Sequence, residues 1–160
     1  MASRKPLVIN NGQIQQIQSG DVLDAVISEV DLVSLTNNNA GAIVIGMPVY
    51  SADADDVDKA QANAVGTVEV IGLVQDVSIA TTASGYIQTD GVLSATTTQW
   101  DAVAGTTGGL TAGAIYFLSA ATAGELTETA PTTAGQFVLR VGKALSATEM
   151  EISISQPVKL

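Results

Sequence analysis

The chain contains no histidine and no cysteine. Without them there is no Ser-His-Asp or Cys-His triad, none of the usual zinc ligand sets and no disulfide. Stability then has to come from packing, hydrogen bonds or oligomerisation. Aromatic residues are scarce as well: Phe 2, Tyr 3 and Trp 1 in 160 residues. Sugar-binding clefts often draw on several rings, and this chain has few to offer. Basic residues number 6 against 16 acidic ones, which leaves a formal net charge of −10. Such a surface repels a polyanion, so nucleic acid is not expected as a direct partner. Nor is a membrane, because the longest apolar run, Ala40 to Tyr50, is interrupted by Gly41, Gly46 and Pro48 and is too short to cross a bilayer. The opening residues Met1 to Pro6 are charged and lead into no signal-type apolar region.

What is abundant is Ala, Val, Ile, Leu, Gly and Thr. That mixture suits short β-strands joined by tight turns. Two stretches repeat one pattern. The first runs Gly46-Met47-Pro48-Val49-Tyr50, then an acidic excursion, then Val68 to Val74 with a break at Gly72. The second runs Gly113-Ala114-Ile115-Tyr116-Phe117, then a polar excursion, then Phe137 to Leu145 with a break at Gly142. Each copy closes on an alternating strand, around Tyr86-Ile87 and around Met150 to Ile154. The expected fold is all-β: a small barrel or sandwich built from two similar β modules, with an extended N-terminal arm. Residues 1–20 read as the arm with a hairpin, 21–94 as the first module, 95–109 as a connecting loop and 110–160 as the second module.

Within the arm, Leu7-Val8-Ile9 reads as a strand, Asn10-Asn11-Gly12 as a type I′ turn, and Ile14 and Ile17 as a second short element. Val22 to Leu35 has two readings. Val22, Leu23, Val26, Ile27 and Val30 fit a helical face, whereas the β-branched residues favour a strand. Ser51 to Val65 is acidic and alanine-rich, and reads as a short helix or a long loop.

Candidate chemistry is sparse. Asp53, Asp55, Asp56 and Asp58 form the densest acidic cluster. A calcium loop of the EF-hand type is excluded, because Asp58 replaces the turn glycine and Ala64 the closing glutamate. A solvated acidic loop is expected. The local carboxylate pairs Asp21 with Asp24 and Glu125 with Glu128 have no cleft attached to them in sequence. Gly142-Lys143 lacks the spacing of a phosphate loop, and Lys143 reads as a surface residue at a strand kink. No catalytic, cofactor-binding or metal-binding residue is assigned, and the chain is read as non-enzymatic. Trp100, beside Asp101, reads either as a core or loop anchor or as an interface anchor. Three basic residues, Arg4, Lys5 and Lys159, sit near the ends of an acidic chain. With Pro6, Leu7 and Val8 they form the candidate interface, since basic ends can rest on a neighbouring acidic subunit.

Several segments resemble those of a known class of proteins. Lys5 to Ile17 resembles the opening of many tailed-phage virion proteins. Gln99 to Val103, Gly109 to Ser119, Gly124 to Thr127, Ala130 to Phe137 and Val141 to Thr148 together look like a recurring phage structural module. The Gly46-Met47-Pro48-Val49-Tyr50 copy is similar to a pattern of small capsid decoration (cement) proteins. The resemblance implies a virion structural protein that binds the major capsid protein on the outer capsid and stabilises the head. It implies synthesis in the host cytoplasm and a homo-oligomer, with a trimer at capsid three-fold positions. The alternative it implies is a tail-fibre or tail accessory protein involved in host attachment.

Overall fold

The computed structural model describes Leu7–Asn10, Gln13–Gln16 and residues 31–160. Strand β1 (Leu7–Asn10) pairs antiparallel with β2 (Gln13–Gln16), in a register that sets Asn10 opposite Gln13. That register leaves a two-residue connection, the length at which Asn-Gly favours a hairpin. The turn itself, the arm residues Arg4, Lys5 and Pro6, and most of the ambiguous Val22 to Leu35 stretch lie outside the described residues. Of that stretch, Asp31 to Leu35 is described, and Leu32 to Leu35 is strand, within β3 (Leu32–Asn37).

The first module continues through β4 (Ile43–Val44), β5 (Pro48–Asp53), β6 (Asp56–Lys59), a 3-10 turn (Val65–Thr67), β7 (Val70–Val74), β8 (Ser78–Ile79) and β9 (Ser84–Gln88). Five of these close into a barrel in the order β3-β6-β5-β7-β9, and β4 pairs with β8 beside it. Closure depends on a short parallel pairing of β3 with β6, Thr36 opposite Asp56 and Asn37 opposite Val57. The interior is aliphatic: Ile43, Val49, Val57, Val74, Ile79 and Ile87. Asn37 is buried beside it without being orphaned, because its side-chain amide donates to the Gly41 and Ile79 carbonyls and its Oδ1 accepts from the Asn39 N–H.

The second module comprises β10 (Gly91–Ser94), α1 (Thr97–Ala104), β11 (Ile115–Leu118), β12 (Leu126–Thr127), β13 (Phe137–Val138), β14 (Arg140–Ala144), β15 (Glu149–Ile152) and β16 (Val158–Lys159). Its main sheet has the order β10-β15-β14-β11-β12, while β13 pairs with β16. Read from β3, the barrel has the order β3-β9-β7-β5-β6. The two modules therefore share one strand order, closed in the first and open in the second.

The correspondence extends to single hydrogen bonds. In the first module, Gly46 N–H donates to Val74 O at 2.9 Å and Val74 N–H donates to Met47 O at 3.0 Å. In the second, Gly113 N–H donates to Ala144 O at 2.8 Å and Ala144 N–H donates to Ala114 O at 2.9 Å. Gly46 and Gly113 both have φ near +84°, at +84 and +83, a conformation that L side chains avoid. Each strand pair then shifts register at the equivalent place. Val49 faces Gly72 and Tyr50 faces Val70; Tyr116 faces Gly142 and Phe117 faces Arg140. Gly72 and Gly142 do not interrupt their strands. They let the neighbouring strand approach closely, since a Cβ there would lie 2.4 Å from Gln88 O and 2.5 Å from Glu151 O respectively.

Three expectations need correcting. Gly91–Ser94, within the 21–94 span expected for the first module, pairs with β15 in the second sheet. Residues 95–109 are not simply a connecting loop, because they contain α1. Thr96 accepts from the Gln99 N–H while the Gln99 side chain accepts from the Thr96 N–H, a capping box that starts the helix. Gly105 ends it in the left-handed conformation. The acidic stretch from Ser51 is a β-hairpin, in which Asp55 at φ +62 makes the turn and Val57 points into the barrel with no exposed surface.

Candidate functional site

A single core joins the modules. Ile45, Ala60, Ala62, Val68, Val70 and Leu73 of the first pack with Leu93, Trp100, Tyr116, Leu118, Val141 and Met150 of the second. The segment after β6 fixes this junction through backbone bonds. Ala62 N–H donates to Ser119 O, Phe137 N–H to Ala62 O and Gly124 N–H to Ala60 O. Such bonds set the relative position of the modules, which side-chain packing alone specifies less sharply.

Trp100 lies at the centre of this junction. It has 0% exposure, and its indole N–H donates to Thr148 O at 3.1 Å. Its ring covers Gly46, where a Cβ would sit 2.8 Å from Trp100 Cζ3. A side chain with no exposed surface cannot contact a partner, so Trp100 is removed from the candidate interface and is a core anchor. Helix α1, which the sequence reading missed, places it there: Trp100 and Val103 share the buried face. The Thr96-Thr97-Thr98-Gln99 start signal was present in the sequence.

The remaining candidates are spread apart. Lys159 is exposed on β16, opposite Phe137. Leu7 and Val8 lie in β1 opposite Gln16 and Gln15. Arg4, Lys5 and Pro6 lie outside the described residues, as do Asp21 and Asp24.

Three acidic groups, Asp58, Asp101 and Glu128, are tied into local structure. Asp58 Oδ1 accepts from the Asn39 side-chain amide and the Lys59 N–H, both at 2.6 Å. Among the described residues no group of three or more acidic side chains is placed to hold a metal ion. Asp101 accepts from the Thr106 hydroxyl and from the Gly108 and Gly109 N–H groups. The Gly109 bond is the main reason its carboxyl is held below the ordinary range, and this carboxylate organises the loop after α1. Glu128 accepts from the buried Tyr116 hydroxyl at 2.7 Å, and that hydroxyl accepts from the Thr111 N–H at 2.9 Å. Hydrogen bonding by Thr111 and then Tyr116 keeps Glu128 below its usual range, and burial pushes Tyr116 up. A glutamate committed to a buried phenol is a structural group, and Glu125 does not share its contact.

An open groove of about 270 Å³ runs beside β12, lined by residues that include Ser119, Thr127, Thr129, Pro131 and Gln136. No titratable or aromatic side chain lines it, so it offers hydroxyl, amide and small apolar contacts and no charge. Among the described residues no helix is long and apolar enough to cross a membrane. No protein-family model matches the chain, and no curated protein matches it.

Proposed function

We propose that this chain is a non-enzymatic structural protein of a tailed-phage particle, a decoration protein that binds the major capsid protein on the outer surface and stabilises the head. The observation that carries this reading is the tandem β module. The segments that resemble phage virion modules are the ones that build the framework: Trp100, Leu110, Tyr116, Leu118, Val141 and Ala144 are all buried. The resemblance therefore concerns a scaffold, whose outer surface is left for contacts.

Two further features support the reading. The acidic charge of the chain favours solubility before assembly. The hairpin β1-β2 is short, and an isolated two-stranded hairpin is marginal in water. Such an element gains stability by docking, and an extended arm can add strands to a neighbour by backbone pairing. On this reading the arm bearing Arg4, Lys5, Pro6, Leu7 and Val8 attaches to the capsid, and the two-module body lies over it.

The test uses heads assembled without the protein. Purified chain should bind them saturably and raise the temperature at which they release DNA. A chain lacking residues 1–11 should keep its circular dichroism spectrum and bind more weakly. Heads that take up no protein, while tails do, would refute the decoration role.

A further inference from the structure

Because the modules share one register, each surface of one has a counterpart in the other. The outer face of the second sheet carries a row that crosses four strands. Val92 on β10 lies opposite Glu151 on β15, Glu151 opposite Lys143 on β14, and Lys143 opposite Ile115 on β11. All four are exposed, including the two apolar members, Val92 at 38% and Ile115 at 41%. The counterpart row in the first module is Leu32, Gln88, Leu73 and Pro48. It carries no charge, and Gln88, Leu73 and Pro48 are buried, with Leu73 in the core shared by the two modules. Leu32, at 44% exposure, is the open member of that row; at its other three positions this face is buried in the first module, whereas among the described residues all four positions are exposed in the second.

The open row is complementary to its own two-fold image. From β10 to β11 it reads apolar, acidic, basic, apolar. Beyond the row the charges do not pair in this way: Glu149 on β15 is level with exposed Leu145, just past the end of β14, and half-buried Arg140, at the other end of β14, donates through Nη2 to the Ser153 hydroxyl of its own chain. A two-fold axis parallel to the strands and midway between β14 and β15 maps each of the four row positions onto its complement. Lys143 then meets Glu151 of the second copy, and Val92 meets Ile115 of the second copy. A surface that matches itself in this way is what an isologous contact requires.

We infer that the outer face of the β10-β15-β14-β11 sheet is a docking surface for a second copy of this chain. Two sheets meet face to face there, with Val92 and Ile115 as the apolar flanks and the Lys143 and Glu151 pairs setting the register. Charge pairs of this kind decide partner and orientation more than raw affinity. The contact produces a dimer, not the trimer that the resemblance implies, and it does not depend on where the protein works.

Charge reversal tests it with the full chain. In K143E each copy presents two acids, so Glu faces Glu across the axis; in E151K, Lys faces Lys. Sedimentation equilibrium over a micromolar to millimolar series should show wild type associating as a dimer and each variant at least about tenfold more weakly. An equimolar mixture of K143E and E151K should recover association as a mixed dimer, and the double variant K143E/E151K should recover it alone. Circular dichroism establishes that each variant is folded, and the mixture shows that each retains a working surface. A wild type that stays monomeric overturns the inference, as does a trimer unaffected by either variant. Variants that associate like wild type but no longer bind capsid would also overturn it, by giving this face to the capsid protein instead.

Discussion

Replacing Gly142 by Ala tests the close strand approach on which the repeated module is built. The added methyl would lie 2.5 Å from the Glu151 carbonyl oxygen, 2.9 Å from Met150 Cγ and 3.0 Å from Met150 Sδ. The methionine can rotate away, but the carbonyl belongs to a paired strand. Ordinary C···O contact is about 3.3 Å, so β14 and β15 must separate by roughly 0.8 Å. Overpacking of this kind typically costs about 1–3 kcal/mol. For a chain of this size each kcal/mol lowers Tm by roughly 2–4 °C, so the expected loss is about 2–12 °C. Gly72→Ala should behave alike, because its methyl would lie 2.4 Å from Gln88 O. Gly66 is the control, with nothing within 4 Å and a φ outside the left-handed region; Gly66→Ala should stay within about 0.5 kcal/mol of wild type. Thermal melts followed by circular dichroism read all three. If Gly142→Ala and Gly72→Ala melt with Gly66→Ala, the strands are not spaced as described and the equivalence of the modules fails.

Trp100→Ala should cost about 3–5 kcal/mol, the range for emptying a large aromatic site, and lower Tm accordingly in the same melts. If Trp100 were a surface anchor, the substitution would leave Tm unchanged and affect binding alone. Asp101→Asn should destabilise at neutral pH, because Asn cannot accept from Thr106, Gly108 and Gly109 together as the carboxylate does. The folded-state pKa of Asp101 is depressed, so its contribution is fully present above the unfolded carboxylate pKa and is lost as pH falls through the folded one. The Tm gap between wild type and variant should therefore close on acidification below the usual carboxylate range, and a gap that persists there would refute the linkage. Thr96→Ala removes the α1 cap and should cost about 0.5–2 kcal/mol in urea melts.

The repeat was legible in the sequence because the register shifts demand glycine. Gly46 and Gly113 mark equivalent positive-φ positions, and Gly72 and Gly142 equivalent close approaches. Few other residues serve at such positions, so the backbone requirement survives as a sequence marker. Pairing partners left no such mark. Gly91–Ser94 follows β9 directly along the chain, yet its hydrogen bonds go to Glu149–Ile152, and nothing local in Gly91-Val92-Leu93-Ser94 distinguishes the two sheets. The Asp56–Lys59 strand was hidden by its composition: one apolar residue, Val57, alternates with charged ones. That suffices at a barrel strand with one buried face but falls below a pattern visible by eye. Helix α1 was obscured by its two threonines, Thr97 and Thr98, which lower helix propensity, although Thr96 and Gln99 carried a readable cap. The aromatic at residue 100 had two readings for a plain reason: a lone Trp is more often a core or loop anchor but also serves interfaces, and the burial against Gly46 decides for the core.

The proposed decoration role turns on abundance, because a protein that covers a capsid lattice is present in many copies whereas tail fibres are few. Quantitative mass spectrometry of purified virions, with the major capsid protein as internal standard, measures it directly. The account predicts a copy number close to that of the major capsid protein. A count limited to the few or few dozen copies of a tail structure would contradict it and assign the two-module body to the tail.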